Sequence, residues 1–234
     1  MPYFYGFDWT YLVLVLPCVI LAMVASARVN STFKRYANQH SSRRITGAEA
    51  AQRVLRNNGV FNVQIQRVSG NLTDHYDPRS KTVNLSDGVY NSNSVAAAAI
   101  AAHECGHAVQ HAHAYAPLKM RSALVPAVSF ASKWVTWILL GGILLLERFP
   151  QLLLAGIVLY ALTTLFSFIT LPVEVNASQR AVAWLEHAGI TDRQTTPMAS
   201  TALRTAAYTY VVAALSSLGT LIYYILIFAG GRRN

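Results

Sequence analysis

The chain has 234 residues, of which 53% are hydrophobic and only 12% charged, and its mean hydropathy is +0.33. That balance excludes an ordinary soluble domain and places the protein in the membrane class. The net charge of +9 is not a nucleic-acid signature: the basic residues are scattered and no recognition motif accompanies them, so no nucleic-acid partner is expected and attraction to anionic lipid is the better reading.

The first apolar run, residues 11–27, approaches the roughly 20 residues that a helix needs to cross a bilayer core. A secretory signal carries basic residues before its apolar core, whereas here the first basic residue, Arg28, follows it. We therefore expect a retained anchor with its N-terminus outside. Residues 31–42 are polar and basic, a helix extension or a linker. Thr46 with Glu49 three positions on forms a capping box, Ala50, Val54 and Leu55 continue an apolar face, and Asn57-Asn58-Gly59 stops the helix. Val63 and Ile65 alternate with polar neighbours as in a strand. Asp77-Pro78-Arg79-Ser80 is a turn between residues 72–76 and 81–85, which read as a hairpin. Asn93 and Ser94 can cap a helix that runs from Ala96 to about His113.

That helix carries His103-Glu104-Cys105-Gly106-His107, an HExxH motif. Positions four apart lie above one another on a helix, so the two imidazoles converge on one point that suits Zn²⁺, and Glu104 can touch a water there as general base. With 7 His in 234 residues, a chance match has a probability of about 0.4%. The competing reading is a pair of hydrogen-bonded core histidines. Cys105 lies about 200° around the helix from His103 and reads as a packing residue.

Apolar runs at 125–146, 152–171 and 211–229 complete four expected transmembrane helices. The second enters the bilayer near Trp134 and Trp137, with Lys133 snorkelling to the interface. The expected fold is thus a mainly α integral membrane protein with about four transmembrane helices and a small α+β catalytic part. Its parts are an N-terminal span (1–27), a cytosolic region with the sheet and the HExxH helix (28–121), spans two and three (122–171), a helix with a third ligand (172–206), and a last span with a tail (207–234). With four spans, fifteen of the nineteen basic residues fall on the side of the motif, which the positive-inside rule makes cytosolic. Arg148, Arg232 and Arg233 fall on the other. Cys18 and Cys105 sit in different helices, so no disulfide is expected.

A catalytic zinc usually takes a third protein ligand. His113 has the spacing of HExxHxxGxxH proteins, but the glycine position is Gln110. Without that glycine turn the helix continues and carries His113 about 15 Å along the axis from His103. The rival is Glu174, in a helix expected to start at Pro172 and to stop at Gly189. There its alternative role is a first-turn glutamate that stabilises the helix dipole. His111 and His113 read as polar surface residues.

The blocks Leu72-Thr73-Asp74-His75-Tyr76-Asp77-Pro78, Ala101-Ala102-His103-Glu104-Cys105-Gly106-His107-Ala108-Val109-Gln110-His111, Leu118 to Pro126 and Leu171 to Ser178 resemble the YugP-type membrane zinc metallopeptidases of bacteria. The likeness extends over nearly the whole chain. It implies a zincin-like protease with Zn²⁺ on His103, His107 and the Glu174 block. A more distant similarity is to HtpX and CAAX prenyl proteases, whose second motif reads ExxxD; here that aspartate is Ser178, so an imidazole must be oriented by another acceptor, with Asn176 and Ser178 as candidates.

The function expected is a membrane zinc endopeptidase acting on membrane or membrane-proximal proteins or peptides, with Glu104 as general base. Substrate would add as a strand at the edge of the 72–85 hairpin. His75 and Tyr76 are placed to donate to a transition state, or else pack and face solvent. Arg204 is an oxyanion donor or an interface anchor. The alternative is a proteolytically inactive zinc-binding scaffold or adaptor. A transporter is disfavoured because the spans hold no deep ionisable group.

Overall fold

The computed structural model describes residues 9–231; the N-terminal end and Arg232 and Arg233, which enter the charge argument above, lie outside the described residues. Eleven elements follow one another: α1 (Trp9–Leu14), α2 (Leu16–Ala37), α3 (Gly47–Asn57), β1 (Gln64–Val68), β2 (His75–Asp77), β3 (Thr82–Ser86), α4 (Asp87–Tyr90), α5 (Val95–Ala112), α6 (Ala116–Leu144), α7 (Pro150–His187) and α8 (Thr196–Gly231). They form two compact units. Four helical stretches, Trp9–Ala37, Ala116–Leu144, Pro150–His187 and Thr196–Gly230, are long and apolar enough to cross a membrane, which makes this a mainly α membrane protein with a small three-stranded sheet.

Of the described residues, the first unit comprises 9–25, 120–171 and 209–231. Its helices leave large apolar side chains uncovered: Val13, Met23, Phe130, Trp137 and Val158 are each more than 60% exposed. A hydrocarbon solvent makes that arrangement favourable where water would not. Within the unit, Val135, Leu139, Leu153 and Ile157 form a small buried cluster. Gly142 permits it, since a Cβ there would lie 2.5 Å from the Leu153 backbone. Lys133 and Trp134 are both exposed.

The second unit comprises residues 26–119 and 172–208. Residues 31–37 prolong α2, so the basic stretch begins as helix. Thr46 caps α3 as the sequence indicates: its hydroxyl accepts from the Glu49 N–H at 3.2 Å, and its own N–H donates to the Glu49 carboxylate at 2.7 Å. Gly59, at φ +71°, lets the chain leave the helix. The sheet order is β1-β3-β2, with β1 parallel and β2 antiparallel to the central β3. The expected hairpin is present as β2 and β3. Because β1 covers the far side of β3, the hairpin's free edge is β2 alone, three residues long.

All of β3 is buried. Val83 and Leu85 join a core with α3, α5 and the end of α7, including Val54, Ala98, Ala102, Cys105, Val109, Ala181 and Leu185. The opposite face of β3 is polar and internally satisfied: Asn84 donates to His75 Nε2 and Thr82 Oγ1, and the Ser86 N–H and hydroxyl both donate to Asp74.

Two expectations about the second half differ from the structure. No helix begins at Pro172; α7 runs unbroken through it. A proline inside a helix removes one N–H and is tolerated where apolar neighbours favour the helix on both sides. Glu174 is therefore mid-helix, and its alternative role as a first-turn dipole partner falls away. Second, α8 begins at Thr196, well before the apolar run at 211–229.

The alanine-rich character of α5 has a consequence in the packing. A Cβ built on Gly106 would lie 3.1 Å from the Cα, the carbonyl oxygen and the Cβ of Ala177, so α5 and α7 meet backbone to backbone at these two small residues. Gly106→Ala should force the helices apart and destabilise the protein by about 1–3 kcal/mol, read as a lower midpoint in thermal unfolding of the detergent-solubilised protein.

Candidate metal centre

The contact between α5 and α7 assembles the site. On α5, His103, Gly106, His107 and Gln110 follow the i, i+3, i+4, i+7 spacing of one helix face; on α7, Val173, Glu174, Ala177 and Ser178 form the answering face. His103 Nε2 lies 3.3 Å and His107 Nε2 3.5 Å from Glu174 Oε2. The imidazoles stand at 84° to each other with ring centroids 4.8 Å apart. The three ligand atoms all lie within 4.8 Å of one another.

These spacings can be tested against an ion. Bonds of about 2.0–2.2 Å in a tetrahedron place neighbouring ligand atoms about 3.3–3.6 Å apart, which matches both nitrogen-to-oxygen distances. Two neutral imidazoles and a carboxylate are a zinc donor set. His113 is not part of it: it caps α5, with its N–H on the Val109 carbonyl at 3.0 Å.

The far nitrogens of the imidazoles are engaged by the protein. Ser178 Oγ is 3.1 Å from His103 Nδ1, where a hydroxyl can accept the ring N–H. His107 Nδ1 is 3.1 Å from Gln110 Oε1. Asn176 touches neither imidazole; its Oδ1 accepts from Gln110 Nε2 at 3.1 Å. Of the two candidate acceptors, Ser178 alone reaches a ring directly. Gln110, which stands where HExxHxxGxxH proteins carry a glycine, supplies the other contact. Its place on the helix face of the histidines is local, but its role depends on Val173 and Asn176, more than 60 residues away.

Glu104 is nearly buried, at 9% exposure, and among the described residues it makes no hydrogen bond or ion pair. Its charge acts on its neighbours. Burial, reinforced by Glu104, pushes the Cys105 thiol well up, so Cys105 remains a neutral thiol in the core, its Sγ 3.5 Å from the Ala51 carbonyl. Burial alone would lower the basicity of His107. The hydrogen bond to Glu174, the charges of Glu104 and Glu174 and the bond to Gln110 outweigh it, and the pKa lies above the ordinary 6.5.

The remaining candidates divide. Tyr76, on β2, places its hydroxyl 2.8 Å from His111 Nδ1, one turn beyond His107 on the same helix. Burial and the Asp77 charge raise its pKa, so the phenol stays protonated. His75 is exposed on the edge strand β2, where its Nδ1 donates to the Thr73 carbonyl at 2.8 Å and its Nε2 accepts from Asn84 at 3.2 Å. Arg204 is exposed on α8, without a hydrogen bond or ion pair to the triad.

A family described as "Putative neutral zinc metallopeptidase" matches residues 11–229. The chain belongs to this family. It is 40% identical over 222 residues to "Putative membrane protease YugP" of Bacillus subtilis (strain 168), covering 95% of this chain and 98% of that protein. No solved structure matches the chain. Membership in a zinc peptidase family agrees with the donor set, and the description of the relative as a membrane protease agrees with the four apolar helices.

The raised pKa of His107 fixes the sign of a pH effect. Zinc needs the neutral imidazole and must displace the proton that the metal-free site holds. Zinc affinity should therefore fall as pH drops through the His107 pKa, by up to about tenfold per pH unit below it, and level off above. Chelator-competition titrations between about pH 6 and 8.5 would measure this.

Proposed function

We propose that the protein is a membrane zinc endopeptidase that hydrolyses peptide bonds of membrane or membrane-proximal proteins. The observation that carries the reading is the convergence of His103, His107 and Glu174 beside a nearly buried, unpartnered Glu104. Zinc held by the three ligands would supply Lewis acidity towards a water molecule and the scissile carbonyl. Glu104 accepts the proton of the attacking water and passes it to the leaving amine. Having no hydrogen-bond partner to give up, it can take that proton without breaking a protein contact.

The free β2 edge is the surface on which an extended substrate would add as a strand, since main-chain hydrogen bonds suit an enzyme that accepts many sequences. Tyr76, on that strand and steered by His111, is the donor we assign to the developing oxyanion. His75, whose ring nitrogens are both spent on Thr73 and Asn84, and Arg204 do not enter this mechanism. The second reading, a zinc-binding scaffold without proteolysis, is distinguished by Glu104, for which a scaffold has no use. We place the site on the cytosolic side because of the basic residues on the segments flanking it. A single cysteine at Ser42, in a Cys18→Ser background, should react with an impermeant thiol reagent only in inverted vesicles.

The central test compares zinc content and hydrolysis of a casein-like substrate in detergent. Glu104→Gln should keep zinc and lose about 10²–10⁴-fold in kcat. Glu174→Ala should lose zinc, and His113→Ala should change little. Full activity of Glu104→Gln would overturn the mechanism, whereas zinc binding with no hydrolysis by the wild type would favour the scaffold.

A further inference from the structure

Gln110 is completely buried, and every polar atom of its amide is used. Nε2 donates to the Val173 carbonyl at 2.9 Å and to Asn176 Oδ1 at 3.1 Å, both on α7. Oε1 faces His107 Nδ1 at 3.1 Å. The orientation of this amide follows from its partners: a main-chain carbonyl can only accept, so the NH₂ group must face Val173 and the oxygen must face His107. An amide oxygen has no proton to give, so His107 Nδ1 carries the hydrogen and Nε2 presents its lone pair towards Glu174.

We propose that Gln110 is a positioning residue for the metal centre: it selects the His107 tautomer that binds through Nε2, and by the same amide it ties this choice to the placement of α7, which brings Glu174. The inference rests on the metal-site reading above. Its content is that one side chain couples a ligand on α5 to a ligand on α7. Only an amide does both. A leucine of similar volume keeps the packing and loses both contacts; a glutamate keeps an acceptor for His107 but turns a second acceptor towards the Val173 carbonyl and Asn176 Oδ1.

The order of zinc affinities follows from those contacts. Gln110→Leu should bind zinc about 10–100-fold more weakly than wild type, and Gln110→Glu should fall between the two because it keeps the His107 acceptor. In the zinc-loaded wild type, ¹⁵N spectra of labelled histidines should show His107 bound through Nε2 with a slowly exchanging Nδ1–H, and in Gln110→Leu that proton should exchange faster. Ser178→Ala serves as the comparison, altering His103 and leaving the His107 signal in place. Gln110→Leu holding zinc within about twofold of wild type, outside the range expected for such contacts, with an unchanged Nδ1–H signal, would overturn the proposal. So would Gln110→Glu binding no more tightly than Gln110→Leu, since Gln110 would then act through packing alone. Should Gln110→Leu fail to fold, the wild-type spectrum still decides: His107 bound through Nδ1 would sink the assignment. No zinc bound by the wild type would instead remove the metal-site reading on which the proposal stands.

Discussion

The contact of Gly106 with Ala177 is the constraint from which the site follows. Backbones can approach this closely only where neither helix carries a large side chain, and the Cβ missing from Gly106 would lie 3.1 Å from Ala177. Once the helices are at that separation, helical geometry does the rest. Glu174 lies one turn before Ala177 and Ser178 just after it, so one helix face delivers a carboxylate to both Nε2 atoms and a hydroxyl to His103 Nδ1. Gln110, one turn after Gly106, reaches back to Val173 across the same seam. A larger residue at either crossing point would weaken all of these contacts together.

Such a seam holds many polar atoms in a buried place, which is costly unless each finds a partner. The far nitrogens of His103 and His107 pair with Ser178 and Gln110, and Gln110 pairs in turn with Val173 and Asn176, while the two Nε2 atoms and the Glu174 carboxylate face one another as acceptors that a cation would satisfy. Connected buried networks of this kind are stiff, because moving one member strands its neighbours. Stiffness is what a metal site needs, since ligand atoms held near the required spacing lose little freedom when an ion binds. The sheet contributes at a distance. Its central strand packs Val83 and Leu85 into the core shared with α5, while β2 presents Tyr76 to His111.

How much of this was legible in the sequence depended on the range of the interaction involved. HExxH is a local statement: four residues of helix fix the relative direction of two imidazoles, and the capping box at Thr46 and the hairpin turn at Asp77 are local in the same sense. Glu174 was legible only as a candidate, because a carboxylate 71 residues from His103 becomes a neighbour through packing that no short window contains. Pro172 misled for a physical reason. Proline has a strong local preference for a first turn, yet the apolar helix on both sides of it outweighs one missing hydrogen bond. Gln110 shares the helix face of the two histidines, but its role was not legible, because Val173 and Asn176 lie on another helix. Gly106 reads in sequence as the neutral middle of a motif, and acquires meaning only beside Ala177.

In the proposed mechanism Glu104 separates a site that merely holds metal from one that uses it. Glu104 is 9% exposed as a residue, but its carboxylate is not among the buried side-chain oxygens left without a partner, so it keeps contact with solvent. The other buried polar groups at this seam justify their burial by the contacts they make, and Glu104 makes none within the protein. Its charge also raises the proton affinity of the adjacent His107, as it would favour any cation held there. A carboxylate next to the ligand set that makes no hydrogen bond or ion pair among the described residues is not explained by packing. It is well explained by a reaction that needs a base beside the ion, because an unpartnered carboxylate can accept a proton from water and release it again without dismantling the network that holds the ligands.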